Sequence, residues 1–401
     1  MIVQTFVAFL VVLLLIAVAT VRFRLNPFLT LFSAAVVYGL LAGVPAGAVV
    51  GTAAAGAGKV FVLLGVVVFA GSVVAGVLKM PGYREQIVRD LSLLFKRPTW
   101  VGAVTGAVLA VPFMCCMTAF IVASPILSCL SDRKRALYAA AIGSTLSFAL
   151  VYPTPVTLAA SAAAPAFSAG EYLLVALPLA LLLLIGVSTL MGRGGSPAIS
   201  PSRVQTVGRR AWVPLALPLA CAAAGLIWPV FGDGSVQAAL LFGMAGALLL
   251  LTAEERHAAL KWGTRHAGVI IYDLCGAGAL GGVILASTFP QDTFGLLDGV
   301  VPLLLLPLVF AVLVQAAQGS RVVTAVVTAG VVASLPLHPV ALVLLIAAGT
   351  LSVSAFSDPY FWLVGRTTED PPMAVLRHYT LPLMGVSLCV AGAGALAGVL
   401  L

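Results

Sequence analysis

The sequence predicts an all-α membrane protein made of two inverted repeats. Each repeat is expected to hold about five transmembrane helices plus one re-entrant hairpin, with a broken helix in each. Three observations predict this: an apolar composition, apolar runs of spanning length, and a charge pattern that is consistent only with two hairpins. Of 401 residues, 62% are hydrophobic and 8% charged, against roughly 25% charged in soluble domains. So few charges cannot cover a water-facing surface, so most of the surface must face a lipid bilayer. Asn26 is the single asparagine. The net charge of +8 is explained by orientation, since Lys and Arg collect in cytoplasmic loops, and no nucleic-acid partner is expected. Cys115, Cys116, Cys129, Cys221, Cys275 and Cys389 all lie in apolar stretches, which is no extracellular disulfide framework.

Taking about 20 apolar residues per span, the chain divides near 2–20, 28–46, 60–78, 99–130, 136–163, 171–191, 212–230, 235–252, 267–287, 299–336, 338–363 and 379–401. No basic residue precedes the first run, and Arg22 and Arg24 follow it. That polarity is wrong for a cleaved signal and right for a span whose N-terminus lies outside. The segment 99–130 is too long for one helix, about 48 Å at about 1.5 Å per residue against a core of about 30 Å. Broken near Cys115-Cys116, each half is too short to cross, and a re-entrant hairpin meets both constraints when protein or water covers its bend. The segment 299–336 repeats the pattern, with its break near Gln318-Gly319-Ser320-Arg321.

With both segments as hairpins, the cytoplasmic loops collect every Lys and Arg except Lys59 and Arg321. A single crossing at 99–130 would separate the basic clusters at 79–97 and 133–135, against the positive-inside rule. The domains are then 1–191 as the first repeat (hairpin about 99–130, broken helix about 136–163), 192–211 as a cytoplasmic linker, and 212–401 as the second (hairpin about 299–336, broken helix about 338–363). Both termini fall outside. An echo at an offset of 205 pairs Gly71 and Gly76 with Gly276 and Gly281, and Thr145-Leu146-Ser147 with Thr350-Leu351-Ser352. Inverted repeats of odd crossing number are typical of secondary transporters.

Both broken helices carry proline, at Tyr152-Pro153-Thr154-Pro155 and Ser357-Asp358-Pro359. Proline removes a backbone donor, and helix ends freed in this way make sites for ions. Arg321 is a guanidinium in an apolar hairpin, which marks a functional site by default, and its planar fork matches a carboxylate. The alternative is a shallow hairpin from which Arg321 snorkels to the surface. The substrate-binding set is Arg321, Ser320, Gln318, Thr324, Thr118, Thr154 and Ser357, with Asp358 and Asp273 as candidates for the coupling cation, H⁺ or Na⁺. Asp358 can also pair with Arg321. Met114-Cys115-Cys116-Met117 offers soft sulfur ligands, though such residues more often fill space. No cofactor is expected. Gly276-Ala277-Gly278-Ala279-Leu280-Gly281 matches a dinucleotide fingerprint in letters only, and close helix packing explains it better. No catalytic motif is present, so the chain is not expected to be an enzyme. These features predict a symporter of a small organic anion. The rival readings are a soft-metal or oxyanion permease, a channel, and an intramembrane enzyme acting on lipid.

At these same residues the chain resembles the gluconate permease family, the gluconate:proton symporters of the ion transporter superfamily. Ala317-Gln318-Gly319-Ser320-Arg321-Val322-Val323-Thr324-Ala325 is similar to its Ala-Gln-Gly-Ser-x-Thr-Val-Ala run. Asp358-Pro359-Tyr360-Phe361-Trp362-Leu363 resembles its Asn-Asp-Ser-Gly-Phe-Trp-Leu run, and Tyr152-Pro153-Thr154-Pro155 its proline turn. The resemblance implies proton-coupled uptake of sugar acids or related hydroxy acids at a bacterial inner membrane, and a homodimer. The chain departs from the pattern where the family carries Phe-Phe-Asp-Val-Gly and this sequence has Met114-Cys115-Cys116-Met117-Thr118. Arg321 replaces a small residue and Ser357 an asparagine. Fewer polar side chains and an added cation point to a substrate smaller or less hydroxylated than gluconate.

Overall fold

The computed structural model describes residues 2–21, 23, 25–80, 82–128, 130–192, 208–227, 234–289, 292, 301–333, 335–355 and 358–401. Among them every regular element is helical. In chain order the helices are α1 (Ile2–Val21), α2 (Pro27–Leu41), α3 (Ala46–Leu78), α4 (Tyr83–Leu94), α5 (Pro98–Phe113), α6 (Cys116–Leu127), α7 (Arg133–Leu150), α8 (Pro155–Ser161) and α9 (Ala169–Met191). Then come α10 (Val213–Ile227), α11 (Ser235–Leu249), α12 (Ala253–Ala286), α13 (Leu306–Gln318), α14 (Arg321–Val332), α15 (Pro339–Ser352), α16 (Pro359–Thr368) and α17 (Pro372–Leu400). Five stretches are long and apolar enough to cross a membrane unaided: Ala46–Leu78, Arg133–Ser161, Ala169–Met191, Ala253–Ala286 and Pro372–Leu400.

Local chemistry sets the boundaries. Proline at N1 or N2 starts α2, α5, α8, α15 and α16, where its missing N–H has no helical partner to lose. Asn26 caps α2 by accepting from the Leu29 amide at 3.2 Å, and a Thr252–Glu255 capping box starts α12. The helix α7 stops at Leu150, ahead of Pro153, and the chain turns helical again at Pro155. In α5 the last turn ends on Met114 and in α13 on Gly319, both left-handed, with φ of 50° and 72°. Glycine takes that conformation without strain, whereas methionine is held in it by its surroundings.

The boundaries recur along the chain. Cys116–Leu127 and Arg321–Val332 are both 12-residue helices, and their starts at 116 and 321 differ by 205. The residues that end the preceding helices, 114 and 319, keep the same offset. Two helices form the centre. Nearly every residue of α7 from Ala136 to Leu150, and of α15 from Val340 to Leu351, is buried, as expected for helices apolar on all faces. By contrast α9 and α17 expose Leu174, Leu182, Leu388 and Leu396, a surface suited to hydrocarbon.

Small residues let the long helices approach. A Cβ at Gly278 of α12 would lie 2.6 Å from the Gly56 carbonyl oxygen of α3, and one at Gly143 of α7 would lie 2.2 Å from the Ala103 carbonyl oxygen of α5. The fingerprint-like run at 276–281 is therefore packing surface. Two expectations change. The spans drawn from 60 and 267 belong to helices that begin at Ala46 and Ala253. The run 46–58, diluted by four glycines, and the capped, charged run 253–266 do not read as membrane spans by themselves, yet both continue as helix into the apolar segments that follow. Lys59 therefore lies inside α3, exposed. Residues 83–94, expected as basic loop, form α4, whose Asp90 accepts from the Trp212 indole at 2.8 Å. Residues 193–207 of the expected linker lie outside the described residues.

Candidate functional site

The two breaks and the two proline turns meet at one place. Cys115 and Cys116 at the start of α6, Pro155 at the start of α8, Ser320 and Arg321 at the start of α14, and Asp358 and Pro359 at the start of α16 all line a cavity of about 1030 Å³. Each helix start presents the positive end of its dipole, so the ends of four elements favour negative charge in this cavity. The remaining wall comes from α1, α2 and α12, including Ile16, Leu31 and Asp273.

Arg321, the first residue of α14, is 4% exposed. Its Nη2 donates to Asp358 Oδ2 at 3.0 Å, to Ser354 Oγ at 3.1 Å and to Tyr379 Oη at 3.1 Å. Ser354 Oγ donates to the same Asp358 oxygen. The other oxygen of Asp358, itself 1% exposed, accepts from the Tyr360 amide at 2.8 Å and so caps α16. The snorkelling reading of Arg321 is thereby corrected: the guanidinium turns inward because a buried carboxylate and two hydroxyls receive it. A guanidinium carries five donors, and this network engages one nitrogen. Arg321 Nε is buried with no hydrogen-bond partner among the described residues.

Both chain halves hold the pair in place. Tyr360 Oη and Ser144 Oγ of α7 are 2.7 Å apart, and Tyr379 Oη lies 3.2 Å from Thr145 Oγ1. The two tyrosine rings meet edge to face at 5.6 Å, and the Tyr360 ring lies 5.8 Å from the guanidinium carbon, within cation–π range. Tyr379 sits in a π-helical turn, Leu376–Thr380, inside α17. Such single-turn expansions re-aim a side chain and recur at functional sites. Sequence reasoning passed over Ser354, Tyr379 and Ser144. A lone tyrosine in the last apolar span was the available signal for Tyr379.

The other expected site residues divide. Ser320 and Asp273 line the cavity with Arg321 and Asp358. Three hydroxyls turn to protein partners instead. Thr118 Oγ1 meets His266 Nε2 at 2.9 Å, Thr154 Oγ1 donates to the Phe148 carbonyl at 2.7 Å, and Thr324 Oγ1 donates to Gln315 Oε1 at 2.8 Å. Ser357 and the Gln318 side chain lie outside the described residues. Met114, Cys115, Cys116 and Met117 all reach the cavity wall. Cys115 Sγ caps α6 by accepting from the Thr118 amide at 3.5 Å, and the Met114 side chain fills the space beside Gly71. No group of three or more His, Cys, Asp or Glu side chains able to hold a metal ion occurs among the described residues.

Residues 1–202 and 234–400 match the family described as GntP family permease. Among solved structures the chain is similar to the YdaH transporter of Alcanivorax borkumensis, described as revealing an unusual topology, at 18% identity over 86% of each chain with a TM-score of 0.46. No curated protein matches it. The structural likeness is too distant for any residue's role to pass across it.

Proposed function

The chain belongs to the GntP permease family, membrane permeases rather than enzymes, and from that premise we propose that it is a secondary transporter carrying a small organic anion together with a proton. One observation carries the reading: the buried Arg321–Asp358 pair in the cavity wall, with Arg321 Nε unpartnered among the described residues. With both groups ionised the pair is neutral. A substrate carboxylate added to it would leave one uncompensated negative charge in a buried site, which is strongly unfavourable. Protonating Asp358 removes the obstacle, because the Arg321 charge is then uncompensated and the guanidinium can turn from Asp358 to pair with the substrate carboxylate. Proton and anion therefore enter together. A Na⁺ at Asp358 would neutralise it to the same effect, and ion dependence separates the two.

The recurring helix boundaries support inverted repeats, with α5–α6 and α13–α14 as re-entrant hairpins and α7–α8 and α15–α16 as broken helices. In that arrangement both termini lie outside a bacterial inner membrane, and the site alternates in access between the two sides. The chain is expected to pair as a homodimer. Cysteines placed singly at Ala169 and Lys134 test the topology: an impermeant thiol reagent outside intact cells should label the first and not the second.

Purified protein in proteoliposomes tests the coupling. Asp358→Asn should exchange labelled anion across the bilayer yet fail to concentrate it under a proton gradient. Arg321→Lys should keep only part of the binding, since an ammonium lacks the fork. Accumulation by Asp358→Asn with unchanged ion dependence would remove Asp358 from the mechanism and leave Asp273 as the coupling candidate.

A further inference from the structure

We infer that the anion taken by this cavity is an aliphatic monocarboxylate with an apolar body, and not a polyhydroxy sugar acid. The inference rests on the reading of Arg321 as the anion site and adds what lies beyond the carboxylate. The first ground is what the wall lacks. Among the described residues lining the cavity, Ser320 is the single hydroxyl-bearing side chain, no Asn, Gln or His lines it, and the remaining polar side chains are the charged Asp273, Arg321, Asp358 and Arg366. Three hydroxyls placed close by in sequence, Thr118, Thr154 and Thr324, are bonded to protein partners. A sugar acid carries a hydroxyl on each carbon after its carboxylate. Each one buried without a partner lowers affinity by about tenfold.

The second ground is what the wall supplies. Ile16, Leu31, Ile270, Leu274, Trp362 and Leu363 are among the apolar side chains that make up most of the wall, interrupted by Asp273 and Arg366, while the Arg321–Asp358 pair supplies a charged head site. Head and body of an amphiphilic acid are thereby matched in a single cavity. A cavity of about 1030 Å³ has room for more than a two- or three-carbon acid, so binding should strengthen as the chain lengthens. Burying a methylene strengthens binding by about three- to fourfold.

The test measures equilibrium binding of butanoate, hexanoate, octanoate and gluconate to the full chain in lipid nanodiscs at mildly acidic pH. Hexanoate and gluconate share a carbon count and differ in hydroxylation. The expected result is a rise of about tenfold from butanoate to hexanoate and again to octanoate, with gluconate at least about a hundredfold weaker than hexanoate. Ile270→Ser, at a half-buried position on the apolar wall, should weaken octanoate by several-fold and butanoate by less. Arg321→Lys should weaken every acid in the series by a similar factor. Gluconate binding more tightly than hexanoate, and weakened by Arg321→Lys, would overturn this inference and leave the anion site standing. A chain-length trend that Arg321→Lys and Ile270→Ser both leave untouched would show partition into lipid and overturn it too. If none of the acids binds, both the inference and the anion-site reading fall.

Discussion

Removing Arg321 should damage the fold as well as binding, and removing Asp358 with it should repair the first and not the second. Arg321 and Asp358 are 4% and 1% exposed and 3.0 Å apart. Deleting one partner of such a pair strands a buried charge, at about 3–5 kcal/mol. Replacing both by apolar groups of similar volume is often neutral or better. Two local losses remain in the double variant. The cap that Asp358 gives the Tyr360 amide at 2.8 Å is worth about 1 kcal/mol, and Ser354 loses its acceptor. Arg321→Met and Asp358→Leu should therefore each destabilise by about 3 kcal/mol or more, while the combination should sit within about 2 kcal/mol of the native chain. Reversible unfolding in mixed micelles measures all four corners of the cycle, and the two effects should miss additivity by about 3 kcal/mol or more. Anion binding by the double variant should be absent although it is folded. Single-variant effects that add within about 0.5 kcal/mol, the range for independent sites, would refute the argument that the two charges are energetically one unit.

Other consequences are as direct. Tyr379→Phe removes the hydroxyl that Arg321 reaches at 3.1 Å, and because hydrogen bonds to charged groups contribute about 1.5–3 kcal/mol, unfolding should show a loss in that range; an unchanged midpoint would remove Tyr379 from the network. Gly278→Leu forces a side chain against the Gly56 carbonyl at the α3–α12 contact. It should destabilise by at least about 3 kcal/mol, whereas the same change at Gly268, where a Cβ meets nothing within 4 Å, should be near neutral. Asp370 accepts from Lys134 Nζ at 2.5 Å and Tyr138 Oη at 2.8 Å, tying α7 to the turn between α16 and α17. Burial pushes its carboxyl up, but these two bonds, with the Lys134 and His378 charges, outweigh it and hold it below the usual range. A carboxyl lowered in the folded state stabilises fully above its unfolded value of about 3.9 and loses that contribution only as pH falls through its still lower folded value. The stability gap between the native chain and Asp370→Asn should thus persist from about pH 8 down to 5; a gap that closes over that range would contradict the assignment.

The sequence by itself determined the membrane class, the family, the two breaks and the proline turns. Each of these is written locally, in hydropathy over about 20 residues, in the residues that stop or start helices, and in a short motif around Arg321. The breaks fall at Met114-Cys115 and Gly319-Ser320 because the same residues that interrupt an apolar run also end the backbone ladder. Helix length was less legible, since the glycine-diluted run 46–58 and the charged run 253–266 fold as helix without reading as membrane spans. Only the tertiary structure decided which polar groups share a site. Arg321 and Asp358 stand 37 residues apart and Tyr379 a further 21 from Asp358. Nothing in local hydropathy could select Tyr379 or Ser354 over the other hydroxyls of the chain. In a protein whose apolar surface faces lipid, a buried charge must find its partners inside, and those partners are set by helix packing across both halves.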